Sequence, residues 1–284
     1  MMTDLNYDTE QLTRFLEANP RVVVLSGAGI SASSGIPTYR DSAGVWQHNK
    51  PITHQEFLQD AARRQRYWAR SMAGWPAIRD ARPGAGHRAL SELERAGNIS
   101  LLITQNVDRL HQRAGSQQVI DLHGRLDRVS CLDCGTFYDR ETIQQLLLRD
   151  NDSPSYAKTS ARPDGDADLP DGYVDSFTPP SCKNCCGLLM PDVVFFGGTV
   201  PKPRVASCLG AIEQSDALLA IGSSLQVYSG FRFCRQIIAE GKPLAIINPG
   251  STRADDLATL KIRQDCGPLL QRVATADTSE SLTL

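Results

Sequence analysis

Val22-Val23-Val24-Leu25-Ser26-Gly27-Ala28-Gly29-Ile30-Ser31-Ala32-Ser33-Ser34-Gly35-Ile36-Pro37-Thr38-Tyr39-Arg40-Asp41 is the stretch on which the fold turns. It opens with a largely β-branched apolar run, the pattern of a strand buried on both faces in a parallel sheet. Gly27, Gly29 and Ala32 follow at the spacing of a tight turn that leads into a helix. In dinucleotide-binding folds this order of strand, glycine turn and helix start aims backbone N–H groups at a pyrophosphate. A hydride-transferring dehydrogenase would continue with a helix, a second apolar strand and an acid about 20 residues on for the ribose. Residues 33–50 instead carry Gly35, Pro37, Tyr39, Arg40 and Gly44, with no β-branched run. The expectation is an ordered loop laid over a cofactor.

Outward from this stretch the same punctuation recurs. Leu101-Leu102-Ile103 ends at Thr104-Gln105-Asn106, and Val119 to Leu122 ends at His123-Gly124. Leu218 to Ile221 ends at Gly222-Ser223-Ser224, and Leu244 to Ile247 ends at Asn248-Pro249-Gly250. Each apolar run stops at polar or glycine residues, and helical patterns lie between them. Open α/β sheets bind ligands at that edge. The expected fold is therefore α/β, a Rossmann-like doubly wound parallel sheet with a smaller zinc-binding and helical module. Segments 1–52, 88–127 and 190–284 are assigned to the nucleotide-binding domain, and segments 53–87 and 128–189 to the smaller module. A helix capped by Asp8 should bury Leu12, Phe15 and Leu16, and another should follow Pro83-Gly84. Phe57 to Ile78 reads as mostly helical, its arginines forming a solvated face. Residues 149–180, rich in Asp, Ser, Pro and Gly, read as a surface insertion. Within it Asp164-x-Asp166-x-Asp168 lacks the glycine and glutamate of a calcium loop and reads as a solvated acidic turn.

At 284 residues, 41% hydrophobic and 22% charged, the chain has the make-up of a soluble protein with one large core and a smaller module. A net charge of −2 offers no basis for nucleic-acid binding. No apolar run approaches a membrane span, and residues 1–6 lack a signal peptide's basic and apolar regions. A cytoplasmic monomer is expected, in a reducing compartment where the eight cysteines serve as metal ligands or buried thiols. Cys131-x-x-Cys134 and Cys182-x-x-Cys185, separated by 47 residues, fit one structural Zn2+ whose shell four thiolates fill. Cys186 offers another register for the fourth ligand, and the two-residue gap favours Cys185. Cys208 and Cys234 read as small apolar fillers.

Of five histidines, His48 and His54 read as surface residues, and His87 and His111 as structural ones. His123 ends an apolar strand, where it is placed either as a general base or as a packed imidazole held by a backbone carbonyl. Gln105, Asn106 and Asp108, at the end of the neighbouring strand, add amides and a carboxylate able to orient a cofactor and a water.

Six motifs in order then resemble the sirtuins. These are Gly27-Ala28-Gly29-Ile30-Ser31-x-x-Ser34-Gly35-Ile36-Pro37-x-Tyr39-Arg40; Thr104-Gln105-Asn106-Val107-Asp108-x-Leu110-His111-x-x-Ala114-Gly115; His123-Gly124; the two cysteine knuckles; Pro191-x-Val193-Val194-x-Phe196-Gly197; and Gly222-Ser223-Ser224-Leu225-x-Val227. The likeness runs from about Val22 to Leu270. Tyr39, Val227-Tyr228-Ser229-Gly230, Asn248-x-Gly250 and Cys266-Gly267 resemble the class II branch, which holds mitochondrial lipoamidase and ADP-ribosyltransferase members.

The resemblance implies an NAD-consuming protein-lysine deacylase acting on acylated proteins or peptides. Gly27, Ala28, Gly29, Ile30, Ser34, Pro37, Tyr39, Arg40, Trp46 and Gln47 would wrap the pyrophosphate and nicotinamide ribose. Gln105, Asn106, Val107 and Asp108 would form the nicotinamide pocket. Gly222, Ser223 and Ser224 would contact the phosphate-ribose side, and Asn248, Pro249, Gly250 and Cys266 the adenosine end. Asn106 and Asp108 would support His123, the base that takes a proton from a ribose hydroxyl. By the same resemblance Val194, Phe196, Gly197 and Val227 would flank a substrate strand. Tyr67-x-x-Arg70 has the spacing by which one sirtuin class recognises acidic acyl chains, so Arg70 is expected to pair with a succinyl- or glutaryl-type carboxylate. A helix-surface arginine is the competing role. An ADP-ribosyltransferase using the same NAD site, and an idle NAD-binding scaffold, are the alternatives.

Overall fold

The computed structural model describes residues 4–39, 41, 51–152, 162–167, 169 and 172–280, with side chains as far as 276. Its strands are β1 (Val22–Ser26), β2 (Ile99–Thr104), β3 (Val119–Asp121), β4 (Gly124–Cys131), β5 (Phe137–Asp139), β6 (Leu189–Val193), β7 (Ala217–Ile221), β8 (Leu244–Ile247) and β9 (Leu260–Ile262). Its helices are α1 (Asp4–Ala18), α2 (His54–Gln59), α3 (Ala61–Asp80), α4 (Ala85–Ala96), α5 (Leu110–Ala114), α6 (Arg140–Asp150), α7 (Lys202–Gln214), α8 (Tyr228–Ala239) and α9 (Cys266–Glu280). Among the described residues, no helix is long and apolar enough to cross a membrane.

Six strands form one parallel sheet in the order β3-β2-β1-β7-β8-β9. The order runs outward from β1 in both directions, so the crevice at the carboxyl ends of β1 and β7 is the topological switch point where such sheets bind ligands. β1 is buried along its whole length, and its side chains divide by period two. Val22 and Val24 join Leu12, Leu90, Leu93 and Leu269 on the face covered by α1, α4 and α9. Val23 and Leu25 join Cys208, Ile212, Phe233 and Ile237 on the face covered by α7 and α8. One strand thus contributes to two cores, which is why its sequence is an unbroken apolar run.

The second sheet, β5-β4-β6, is antiparallel. It packs with α2, α3 and α6 around Phe57, Trp68, Val129, Ile143, Leu147 and Phe195. β4 starts at the residue after His123, and Gly124 pairs with Val193, so the small module grows directly out of the ligand edge. Four details differ from the sequence reading. α1 starts at Asp4, ahead of the Asp8 cap. The 57–78 segment is split at Asp60, whose carboxylate accepts the Ala62 and Arg63 N–H groups and caps α3. β9 is an additional edge strand. Arg70 lies inside the α3 packing at 8% exposure, away from the solvated face.

Candidate active site

A cavity of about 890 Å³ follows the carboxyl edge of the large sheet. One wall is built from the turns after β1, β2, β7 and β8, including Gly27, Ala28, Gly29, Gln105, Asn106 and Val107, then Gly222, Ser223, Ser224, Asn248, Pro249 and Gly250, with Cys266 beyond them. Tyr39, Tyr67, His123, Val194, Phe196, Gly197 and Val227 line the same cavity. Asp108 opens into a small adjoining pocket beside Ala28, Ser31 and Asn106.

At the switch point two loops touch. A Cβ at Gly29 would fall 2.8 Å from Gly222 Cα, and one at Gly27 would fall 2.7 Å from Ser223 Cβ. Gly29 N–H donates to Gly222 O at 2.8 Å, which ties the β1 turn to the β7 turn. The glycines at 27, 29 and 222 therefore permit close backbone approach, and the resulting bare rim suits a pyrophosphate.

The residues at the carboxyl end of β2 are joined through Ser31. Asn106 Nδ2 donates to Gly27 O and to Ser31 Oγ, both at 3.1 Å. Ser31 Oγ donates to Asp108 Oδ2 at 2.7 Å, and Leu110 N–H donates to Asp108 Oδ1 at 2.9 Å. Gly84 N–H donates to His87 Nδ1 at 3.1 Å, so the other nitrogen, Nε2, carries the proton that faces Ser31 Oγ at 3.3 Å. Burial raises the Asp108 carboxyl, opposed by the Leu110 and Ser31 bonds. Gln105 Nε2 reaches Ser223 Oγ at 2.9 Å across the switch point.

His123 Nδ1 lies 3.0 Å from Gln105 O, and Nε2 lies 2.7 Å from Ser229 Oγ. A carbonyl only accepts, so Nδ1 carries the proton and Nε2 is left with its lone pair. Burial pushes the imidazole down to about 4; Arg204 and Arg232 push the same way, and the Gln105 bond opposes them. The ring is therefore neutral at pH 7 with its basic nitrogen turned toward Ser229.

The four knuckle cysteines converge in the second sheet, their sulfurs all within 4.8 Å of one another. Cys131 and Cys185 sulfurs are 3.5 Å apart, and Cys134 and Cys182 sulfurs 3.6 Å. Zn–S bonds of about 2.3 Å place tetrahedral sulfurs about 3.8 Å apart, so the donors fit a zinc ion with no open position. Cys185 supplies the fourth sulfur, and Cys186 lies outside the cluster.

Other expected contacts fall elsewhere. Ile30 is 1% exposed and belongs to the α4–α9 core, not to the cavity wall. Ser34 and Pro37 do not line the cavity. Arg40, Trp46 and Gln47 lie outside the described residues. Arg70 does not reach the cavity: its Nε donates to Asp166 Oδ1 at 2.6 Å. Asp164 and Asp166 are half-buried, whereas a solvated acidic turn was expected, and Asp164 lines the cavity. Phe196 O already accepts His54 N–H at 2.8 Å, so an added substrate strand must use other backbone groups. Ser31 and Ser229 stand in quoted motifs without an assigned role, and His87 reads as structural, because the partners that give them a place in the site lie 56 to 106 residues away.

A family model described as the Sir2 family matches residues 27–229. An NAD-dependent protein deacetylase of Xanthomonas campestris pv. campestris (strain 8004) is 52% identical over 259 residues, 91% of this chain and 88% of that protein. The NAD-dependent protein deacylase Sirt4 of Drosophila melanogaster is 43% identical over 279 residues, 97% of this chain and 89% of that protein. Among solved structures, a Sir2–p53 peptide–NAD+ complex superposes with a TM-score of 0.77 at 29% identity, covering 95% of this chain and 99% of the other.

Proposed function

The chain belongs to the Sir2 family, and on that premise we propose that it is an NAD-dependent protein-lysine deacylase, transferring the acyl group to ADP-ribose with release of nicotinamide. The observation that carries the reading is the tautomer of His123, whose locked Nδ1–H leaves Nε2 as a base at the ligand edge. NAD supplies the ribose carbon that receives the acyl oxygen, and its nicotinamide is the leaving group. The turns at Gly27–Gly29 and Gly222–Ser224 would cradle its pyrophosphate with backbone N–H groups other than those of Gly27, Gly29 and Gly222, which already donate to Ile221 O, Gly222 O and Ile247 O. Asn248, Gly250 and Cys266 would face the adenosine, while Tyr39 covers the nicotinamide ribose. Asn106 and Asp108, cross-linked through Ser31, would fix the nicotinamide end, and Asn106 would orient a water. His123 Nε2 takes a proton from a ribose hydroxyl, so that this oxygen can attack the acyl carbon. The zinc ion is structural, since four sulfurs complete its shell.

Acylated proteins or peptides are the partners. We read the enzyme as a cytoplasmic monomer without nucleic-acid contacts, in keeping with its net charge of −2. The division into segments 1–52, 88–127 and 190–284 against 53–87 and 128–189 belongs to the same reading, supported by the two layers around the parallel sheet. Met190 and Phe195, however, pack in the small-sheet core, and a further cluster joins Ile36 and Leu110 to Trp75 and Ile78 across the division. Protein ADP-ribosylation is not favoured, because the relatives above are named deacetylases or deacylases. The test is an acetyl-lysine peptide with NAD, followed by mass spectrometry. Acetyl-ADP-ribose should form in step with nicotinamide. His123→Ala should lower turnover by about 10²- to 10⁴-fold while zinc and NAD remain bound. Undiminished turnover would overturn the assigned base.

A further inference from the structure

We propose that the turn at residues 162–166 sets acyl selectivity, excluding carboxylate-tipped chains and accepting neutral ones whose far end donates a hydrogen bond. The proposal deepens the deacylase reading and rests on it. Asp166 has taken the guanidinium that an acidic chain would need, with Arg70 Nε at 2.6 Å from Oδ1 and Arg162 at 3.6 Å from Oδ2. Arg70 is only 8% exposed, so an anionic chain would have to break a buried, hydrogen-bonded ion pair, which is strongly unfavourable.

Asp164 adds the second element. It shares the cavity wall with Tyr39 and Tyr67. Burial chiefly, and the Asp164 charge in part, raise both phenols. Burial, then the neighbouring Asp166, pushes Asp164 up to about 6, so it is mainly ionised at the slightly alkaline pH of an assay. A carboxylate arriving there meets like charge in a half-buried setting, whereas an amide, ureide or hydroxyl finds an acceptor. The same cavity is lined by Val107, Leu126 and Val193, which suits a short methylene chain.

The turn is seated in the fold. Gly165 N–H donates to Arg162 O at 3.0 Å, and Arg162 N–H donates to Asp166 O at 2.9 Å. α3 carries Gly74 beneath it, where any Cβ would fall 2.4 Å from Gly165 O. The helix is notched at a place where the turn rests on it, between its contacts through Arg70 and Ile78.

Peptides bearing acetyl-, succinyl- and succinamyl-lysine separate the possibilities, because succinamyl replaces one carboxylate oxygen of succinyl with NH₂. With NAD, the wild-type kcat/KM for succinamyl should exceed that for succinyl at least tenfold. Asp164→Asn should narrow this ratio at least threefold, and Asp166→Asn, which removes the carboxylate at 2.6 Å from Arg70 Nε, should raise the succinyl-to-acetyl ratio at least tenfold. Circular dichroism and zinc content verify the fold of each variant, and either variant suffices if the other does not fold. Succinyl handled as well as succinamyl by the wild type, or ratios unchanged in the folded variants, would overturn the assignment while acetyl turnover left the deacylase reading standing. No turnover of any peptide would overturn both.

Discussion

At His123 a single carbonyl decides the chemistry. Gln105 O can only accept, so it fixes the proton on Nδ1 and leaves Nε2 basic without any carboxylate partner. The lowered imidazole pKa follows from burial first, and from the positive charges of Arg204 and Arg232 after it. A base whose pKa is lowered stays unprotonated to lower pH, so activity should persist as pH falls from 7 to 5.5, where an ordinary imidazole is mostly charged. The acid limb of kcat/KM, which reports the free enzyme, should therefore lie below pH 6. Arg232→Gln removes the smallest of the effects that depress the ring and should move that limb slightly upward. A profile measured between pH 5 and 9 checks both, and a wild-type limb at or above 6.5 would contradict the burial argument. The same residue shows what sequence could not convey: its position at a strand end was readable, but Ser229, 106 residues away, was not.

At the scale of elements, the decisive contact is between the turns after β1 and β7. Gly222 has φ +58, and a Cβ there would fall 2.6 Å from Ile30 N and 2.9 Å from Gly29 C. Gly222→Ala combines left-handed strain with overpacking against backbone that cannot rotate away, a cost of about 2–5 kcal/mol. Gly97, the cap that follows α4, has φ +91 but nothing within 4 Å of its would-be Cβ. Gly97→Ala should therefore cost only the conformational share, about 1–2 kcal/mol. Urea denaturation should rank the two in that order, and only Gly222→Ala should raise the KM for NAD. Equal effects would show that the turn contact is not tight. The β1 turn was legible because strand, glycine and small residue lie within one continuous segment. β9 was not, because Leu260-Lys261-Ile262 is a three-residue edge strand with too few positions to display a period. The break between α2 and α3 was hidden for a related reason: one capping aspartate interrupts an otherwise continuous helical pattern.

Across the whole molecule, the lining of the cavity draws on different cores. The turns proposed to hold NAD leave β1, β2, β7 and β8, strands held by the two layers around the parallel sheet. Tyr67 and Phe195, which also line the cavity, belong to the core that contains the zinc-knuckle residues Cys131 and Cys182. The knuckles were readable from spacing alone, but their link to the acyl side was not, since it runs through packing of α2 and α3 on β4 and β6. Zinc loss should therefore separate the two functions. Without the ion, four thiols are drawn together with no compensating bond, and binding energy that supports the small sheet disappears. Cys134→Ser, at an exposed ligand position, removes one donor with little change in volume. The expected outcome is loss of zinc, a lower melting temperature and at least a tenfold fall in kcat/KM for the acetyl-lysine peptide. NAD affinity measured by calorimetry should change by less than threefold, because its wall does not share that core. If NAD binding fell in parallel with peptide turnover, the cores would be acting as one cooperative unit.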